Sequence, residues 1–227
     1  MNFNEKELQK QLKEIFNEEV IRQTEPLVHD FARLMAYYRC AIMEIETKFN
    51  VLNEEFSLRY DRNPINSIKT RLKSMRSMRE KLERKGLLVT IDSIEENLSD
   101  VAGVRVICSF PDDVYMLADA LLKQDDIELV EKKDYIANPK PNGYRSLHLI
   151  VTVPIFLEKE KRLMKVEIQL RTIAMDSWAS LEHQLRYKKD NVFDDRMANE
   201  LLICADLSAE LDKRMDSLRA KVQFETE

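Results

Sequence analysis

A chain of 227 residues with 44% apolar and 34% charged side chains is long enough to bury one sizeable core and too apolar to be disordered. A net charge of −5 argues against a dedicated nucleic-acid binder, and three glycines without GxGxxG or GxxxxGK[ST] argue against glycine-cradled nucleotide sites. No apolar run approaches the roughly 18 residues of a membrane span. The start, Met1-Asn2-Phe3-Asn4-Glu5, is unlike a signal peptide, and Cys40, Cys108 and Cys204 form no CxxC pair, so a reducing cytoplasm is expected.

Residues 5–22 read as a charged helix. A second helix is expected from about Pro26 to Tyr60, where Leu27, Phe31, Leu34, Tyr38, Ala41, Ile45, Phe49, Leu52 and Phe56 keep a three-to-four spacing. That stripe exceeds the needs of a small sheet and points to a partner subunit. Asn63-Pro64 reads as an N-cap followed by proline at the first position of a helix over 64–85, which stops near Gly86. Its apolar side is Ile65, Ile68, Leu72, Met75 and Leu82; Lys73, Ser77, Lys81 and Arg84 share another face, with Arg71 off that stripe. Residues 69–85 hold Lys69, Arg71, Lys73, Arg76, Arg79, Lys81, Arg84 and Lys85 against Glu80 and Glu83, a local basic field suited to a small polyanion.

A short helix over 92–99 is capped by Asp92, with Glu95 completing a capping box. A strand follows at 103–109, with Cys108 as a core thiol, then a helix from about Asp112 to Gln124. Further strands fall near 127–136, 145–153 and 163–171, and the prolines and glycine of ANPKPNG (137–143) mark a loop. A helix covers 173–189, with Trp178 read as core. A last helix covers 193–222, where Met197, Leu201, Cys204, Leu211, Met215, Leu218 and Val222 come close to a heptad. The order predicts one α/β or α+β domain with a mixed sheet and helical extensions at both ends.

The strand at 164–171 alternates. Met164, Val166, Ile168 and Leu170 point one way, and Lys165, Glu167, Gln169 and Arg171 the other. In the strand at 145–153, Leu147, Leu149, Val151 and Val153 share a face, with Ser146 and His148 opposite. Paired as a hairpin, the two strands gather Ser146, His148, Glu167, Gln169 and Arg171 on one surface. Asp100 stands just before the 103–109 strand. Two carboxylates, Asp100 and Glu167, beside a basic segment fit a phosphoryl-transfer site that holds Mg²⁺. Tyr144, after the Pro/Gly loop, offers a π-face to a base.

KKDYIANPKPNGYRSLH together with VEIQLRT is very similar to the nucleotide-binding region of the alarmone, or (p)ppGpp, synthetases of the RelA/SpoT superfamily. TRLKSMRSMREKLERKG resembles that family's ATP-binding stretch, and AMDSWASLEH the segment after the second motif in its small, single-domain members. The likeness covers about residues 60–190. It implies a nucleotidyltransferase-like mixed β-sheet flanked by helices, divided into an N-terminal helical extension (1–60), a catalytic domain (61–190) and a C-terminal helix for oligomerisation (191–227). It implies a GTP diphosphokinase of the stringent response, which transfers the β,γ-pyrophosphate of ATP to the 3′-hydroxyl of GDP or GTP and releases AMP.

The resemblance also implies roles. Arg71, Lys73, Ser77, Lys81 and Arg84 hold ATP phosphates, with Arg105 helping on that side. Asp100 ligates Mg²⁺, and Glu167 is the second acid, as metal ligand or as the base that draws the 3′ proton. Tyr144 stacks on guanine. Lys140, Asn142, Ser146 and His148, with Lys132 or Lys133, line the acceptor's phosphate and ribose side, and Gln169 orients the acceptor. Stacking does not select guanine, so a carboxylate such as Asp176 is expected to accept from its N1 and N2 donors. With only His29, His148 and His183, no hydrolase centre is expected, nor are C-terminal regulatory domains. A homo-oligomer is expected, with a tetramer as the best match to the small synthetases. Two other readings are pyrophosphate transfer to a tRNA 3′-end and a silent nucleotide- or RNA-binding regulator. The acidic charge argues against the first, and retention of both acids against the second. The preference for GDP or GTP, and regulation by product, Zn²⁺ or RNA, stay open.

Overall fold

Alternating apolar residues build a five-stranded sheet through the middle of the chain: β1 (Ile65–Leu72), β2 (Ala102–Cys108), β3 (Glu128–Asp134), β4 (Leu147–Phe156) and β5 (Lys161–Thr172). Among the described residues six helices surround it: α1 (Glu18–Tyr60), α2 (Met75–Arg84), α3 (Ile91–Asn97), α4 (Pro111–Leu122), α5 (Ile173–Tyr187) and α6 (Asp195–Phe224). The computed structural model describes residues 18–60, 62–187 and 194–224. The strand order is β1-β2-β5-β4-β3. Only β2 and β5 run parallel, so the α/β sheet is mixed, as expected.

Register makes one face of the sheet dry. Val104, Ile168 and Leu149 stand abreast on β2, β5 and β4, as do Val106, Leu170 and Leu147. They join Tyr38, Ile45 and Phe49 of α1 and Leu117 and Leu121 of α4 in one core. Each such fully buried side chain contributes about 1.5–3 kcal/mol through burial. Cys108 lies in this core, where burial pushes its thiol pKa up, as a core thiol should. From Phe31 onward the α1 stripe is therefore covered within the chain: Phe31, Leu34, Phe49 and Phe56 are buried in this core, contrary to the expectation that it exceeds one core's needs. Of the predicted 5–22 helix, residues 5–17 lie outside the described residues, and 18–22 belong to α1, which runs on through Pro26 without a break.

The helix expected over 64–85 is instead a strand and a shorter helix. A bulge between Ile65 and Ser67 inserts one residue, so Ile65, Ile68 and Leu72 reach the dry side with a spacing that imitates a helix. The helix proper starts at Met75, where the Ser74 side chain accepts from the Ser77 N–H, and ends before Gly86, whose φ is 69°. Likewise α3 is capped by Thr90, which accepts from the Ser93 N–H, and Asp92 lies inside its first turn. In α6, Leu201 and Ala205 pack on Trp178, whereas Leu211, Met215 and Leu218 stay about half exposed. No helix among the described residues is long and apolar enough to cross a membrane.

Candidate active site

The face of the sheet opposite the core is polar, and register lays it out in two rows. One runs Lys69, Arg105, Gln169, His148, Lys133 across all five strands; the next runs Arg71, Gly103, Glu167, Ile150, Glu131. Between them lies a cavity of about 180 Å³, lined by Lys69, Thr70, Arg71, Gly103, Val104, Arg105, Glu167 and Gln169. Gly103 makes room for Arg71: a Cβ there would sit 3.2 Å from both Cγ and Nε of that side chain.

At one end of the cavity is a cationic lobe. Lys73, just after β1, and Lys81, on α2, both reach Asp100 Oδ2, at 2.8 and 2.9 Å. Burial raises the Asp100 pKa, but the hydrogen bonds from Lys73 and Lys81 more than reverse this and leave it below the usual value. Asp100 Oδ1 is buried and finds no hydrogen-bond partner among the described residues. Arg71 NH2 lies 3.8 Å from Glu167 Oε2. Ser77 stands in the first turn of α2, a turn that carries no acidic residue, and so beside the positive end of that helix. Arg84, one helix length away, is exposed and turns its Nε to the Glu80 carbonyl at 3.3 Å.

At the other end is an aromatic lobe. Gly143, with φ at 88°, lets the 135–146 loop turn back on α6, where a Cβ would come within 2.5 Å of the Ala205 Cβ. Tyr144 and Tyr135 meet edge-on at 6.0 Å, and the Lys140 ammonium sits over both rings, at 4.8 and 4.5 Å. The Tyr144 hydroxyl accepts from Arg171 and is 2.8 Å from His148 Nε2. The hydroxyl has its own proton to offer Nε2, and the other ring nitrogen, Nδ1, lies 3.7 Å from Glu167 Oε1. Burial and then Arg171, Lys140, Lys133 and Arg105 press the His148 pKa down to about 3, which keeps the imidazole neutral. Gln169 donates to Glu167 at 3.0 Å and accepts from Arg171 at 2.8 Å.

Arg71, Lys73, Lys81, Asp100, Arg105, Tyr144, His148, Glu167 and Gln169 therefore gather around this face, although Arg71 comes from a strand and Lys73 from the turn after it, not from the expected helix. Others are corrected. Ser146 is fully buried, donating to the Leu170 carbonyl at 3.2 Å and accepting from Arg171 at 3.3 Å, so it supports the site from beneath. Asp176 is a buried counter-ion, engaged by Lys69 at 2.8 Å, Arg105 at 3.2 Å and Arg171 at 3.4 Å; it is not an open acceptor for a base edge. Burial raises its pKa, and Lys69, Arg105 and Arg171 outweigh that, leaving it lowered. Asn142 is used inside the loop, accepting from the Tyr144 N–H and donating to Glu182. Lys132 pairs with Leu149 on the core side, and Lys133, paired with His148, is the lysine on the site face. Sequence reasoning gives Lys69 and Tyr135 no place in the site, and gives Arg171 a face without a role. The alternation of β1 and β5 is the signal for Lys69 and Arg171, and an aromatic at the loop's start the signal for Tyr135.

Among the described residues no cluster of three or more His, Cys, Asp or Glu side chains forms a closed metal site. The orphaned Asp100 Oδ1 fits Mg²⁺, which completes its shell with phosphate oxygens and water.

A sheet with a cationic lobe, two acids and an aromatic lobe on one face defines a nucleotide-dependent phosphoryl-transfer protein. Residues 70–192 match the model of the region found in RelA / SpoT proteins. The chain is 41% identical to the GTP pyrophosphokinase YwaC of Bacillus subtilis over 196 residues, 86% of this chain and 93% of the relative. It superposes on the small alarmone synthetase 2 of Bacillus subtilis with a TM-score of 0.77 and 41% identity, over 85% of this chain and 99% of that one. It superposes equally, with a TM-score of 0.77 and 33% identity over 86% and 98% of the two chains, on the small alarmone synthetase 1 of Bacillus subtilis bound to its product pppGpp. The chain belongs to the RelA/SpoT family.

Proposed function

We propose that the chain is a GTP pyrophosphokinase, a synthetase-only enzyme that moves the β,γ-pyrophosphate of ATP to the 3′-hydroxyl of GDP or GTP and releases AMP. One observation carries this reading: on one sheet face Glu167 lies between a cationic lobe, where Lys73 and Lys81 hold Asp100, and an aromatic lobe that reaches it through His148. Catalysis here is positioning plus electrostatics. Arg71, Lys73, Lys81, Arg105 and the α2 N-terminus at Ser77 take the ATP phosphates, with Arg84 at the far end of that helix. Tyr144 stacks on the base, Lys140 and Lys133 face the acceptor phosphates, and Gln169 and His148 hold Glu167 in place. Glu167 takes the proton as the 3′-oxygen bonds to the β-phosphorus and the bond from that phosphorus to the AMP oxygen breaks. Asp100 Oδ1, with Glu167 as second acid, would hold Mg²⁺, which when bound supplies Lewis-acid polarisation of the phosphates.

We assign catalysis to 61–190, with 1–60 as the N-terminal helical part. The 191–227 segment is assigned to assembly, because Leu211, Met215 and Leu218 leave an apolar stripe on α6. A cytoplasmic homotetramer is expected, and light scattering that finds a monomer overturns that assignment. The functional reading is tested by incubating the chain with ATP and GDP, GTP or tRNA and resolving the nucleotides by chromatography. AMP and a guanosine 3′-pyrophosphate are expected. Transfer to tRNA alone, or no AMP at all, contradicts it.

A further inference from the structure

Arg171 is a buried cation, its side chain 5% exposed, and it is tied to four residues around the acceptor lobe. Its Nε donates to Ser146 Oγ at 3.3 Å, NH1 pairs with Asp176 at 3.4 Å, and NH2 donates to Gln169 Oε1 at 2.8 Å and to the Tyr144 hydroxyl. Its Cζ also lies 4.9 Å from the centre of the Tyr144 ring. Burial lowers its pKa, against the opposing effects of Tyr144 and Asp176, yet a guanidinium starts so high that it stays charged. Two routes lead from it to the acid. One passes through Gln169, which donates to Glu167 Oε2; the other through the Tyr144 hydroxyl and His148, whose Nδ1 faces Glu167 Oε1. The Gln169 route is hydrogen-bonded throughout, and the His148 route ends in an electrostatic approach of 3.7 Å.

We propose that Arg171 is the positioning residue of the acceptor half: it sets the Tyr144 ring and, through Gln169 and His148, the Glu167 carboxylate in one fixed relation, so that base recognition and proton removal are aligned by a single buried group. The proposal rests on the functional reading above and goes beyond it, because Arg171 touches neither substrate in this assignment. A planar fork of donors is required. Lysine is a point charge and cannot grip Ser146, Gln169 and Tyr144 together.

The test compares Arg171→Gln, Arg171→Lys and Tyr144→Phe in steady-state assays with ATP and GDP, with GDP binding followed by calorimetry. Loss of a buried donor set predicts a KM for GDP, and a GDP dissociation constant, raised about 10–100-fold in both Arg171 variants. The KM for ATP should rise far less, by at most a few-fold, because Arg171 reaches the donor side only through Asp176, which Lys69 and Arg105 still engage. Tyr144→Phe removes one partner while leaving the guanidinium. Its effect and that of Arg171→Lys should combine less than additively, because they break the same link. Equal rises in both KM values, unchanged GDP affinity, or strict additivity overturns the assignment. If Arg171→Gln fails to fold, Arg171→Lys and Tyr144→Phe decide alone. Wild-type transfer to GDP upholds the enzyme reading whatever the variants do. Absence of that transfer sinks the enzyme reading, while calorimetric GDP binding still judges Arg171.

Discussion

On the acceptor side, Arg171, Ser146 and Asp176 are buried and hydrogen-bonded into the groups around the cavity, whereas on the donor side the Arg71 side chain is 58% exposed and Lys73 and Lys81 converge on a single carboxylate, Asp100. A satisfied buried network is stiff and discriminates by shape and hydrogen-bonding pattern. Exposed cations attract by charge and are screened by salt. One sheet face thus holds two styles of recognition: the acceptor is selected by a preformed frame, and the donor is collected by a field. Glu167 stands where the two meet, between Arg71 and His148.

The sharpest way to break this comparison is at the junction. Glu167→Gln keeps the shape and the contact to Gln169 but removes the base, so kcat should fall about 10²–10⁴-fold with the thermal melt little changed. Wild-type turnover in that variant would remove Glu167 from the mechanism. Asp100→Asn is next. It weakens the hold of Lys73 and Lys81 and any Mg²⁺ contact, and kcat should drop by about 10²–10³-fold, less at raised Mg²⁺. An effect independent of Mg²⁺ would separate Asp100 from the metal. The contrast between the halves is sharpened by salt. From low to high ionic strength the KM for ATP should rise several-fold more than the KM for GDP, and parallel rises would erase the distinction.

The smallest effect concerns pH. Folded, His148 takes its proton only near pH 3; unfolded, it does so near the ordinary 6.5. Between these values the unfolded chain binds the extra proton. Stability is therefore fully present above about pH 6.5 and falls toward pH 3, by up to about 1.4 kcal/mol per unit from this group. His148→Asn should flatten that part of the melting-temperature profile. An identical slope in the variant would mean the imidazole is not held neutral.

Much of the acceptor half is legible in the sequence because β5 alternates cleanly, and that alternation alone puts Glu167, Gln169 and Arg171 on one face. The donor half misleads where a bulge intervenes. The extra residue at Ile65/Ser67 gives a strand a helical spacing, and a second irregularity at Leu129/Glu131 decides that Lys133, not Lys132, joins His148. Periodicity carries no trace of such insertions. Burial is hidden as well. Ser146 and Asp176 look like ligands by type and position, but Ser146 is tied to Leu170 and Arg171 and Asp176 is held by Lys69, Arg105 and Arg171 from three strands, which only tertiary packing reveals. The role of Arg171 depends on partners spread from Tyr144 to Asp176, a constellation that spacing alone does not assemble.

The most direct test of the two-lobed account is to follow the phosphorus itself. ATP carrying radioactive phosphorus at the β position is mixed with GDP, Mg²⁺ and the chain, and the products are separated by chromatography and counted. The account predicts that the label moves to the ribose 3′ position of the guanine nucleotide, with its γ-phosphate still attached and AMP unlabelled. Label retained in ADP, or released as inorganic phosphate or pyrophosphate without transfer to GDP, would contradict it.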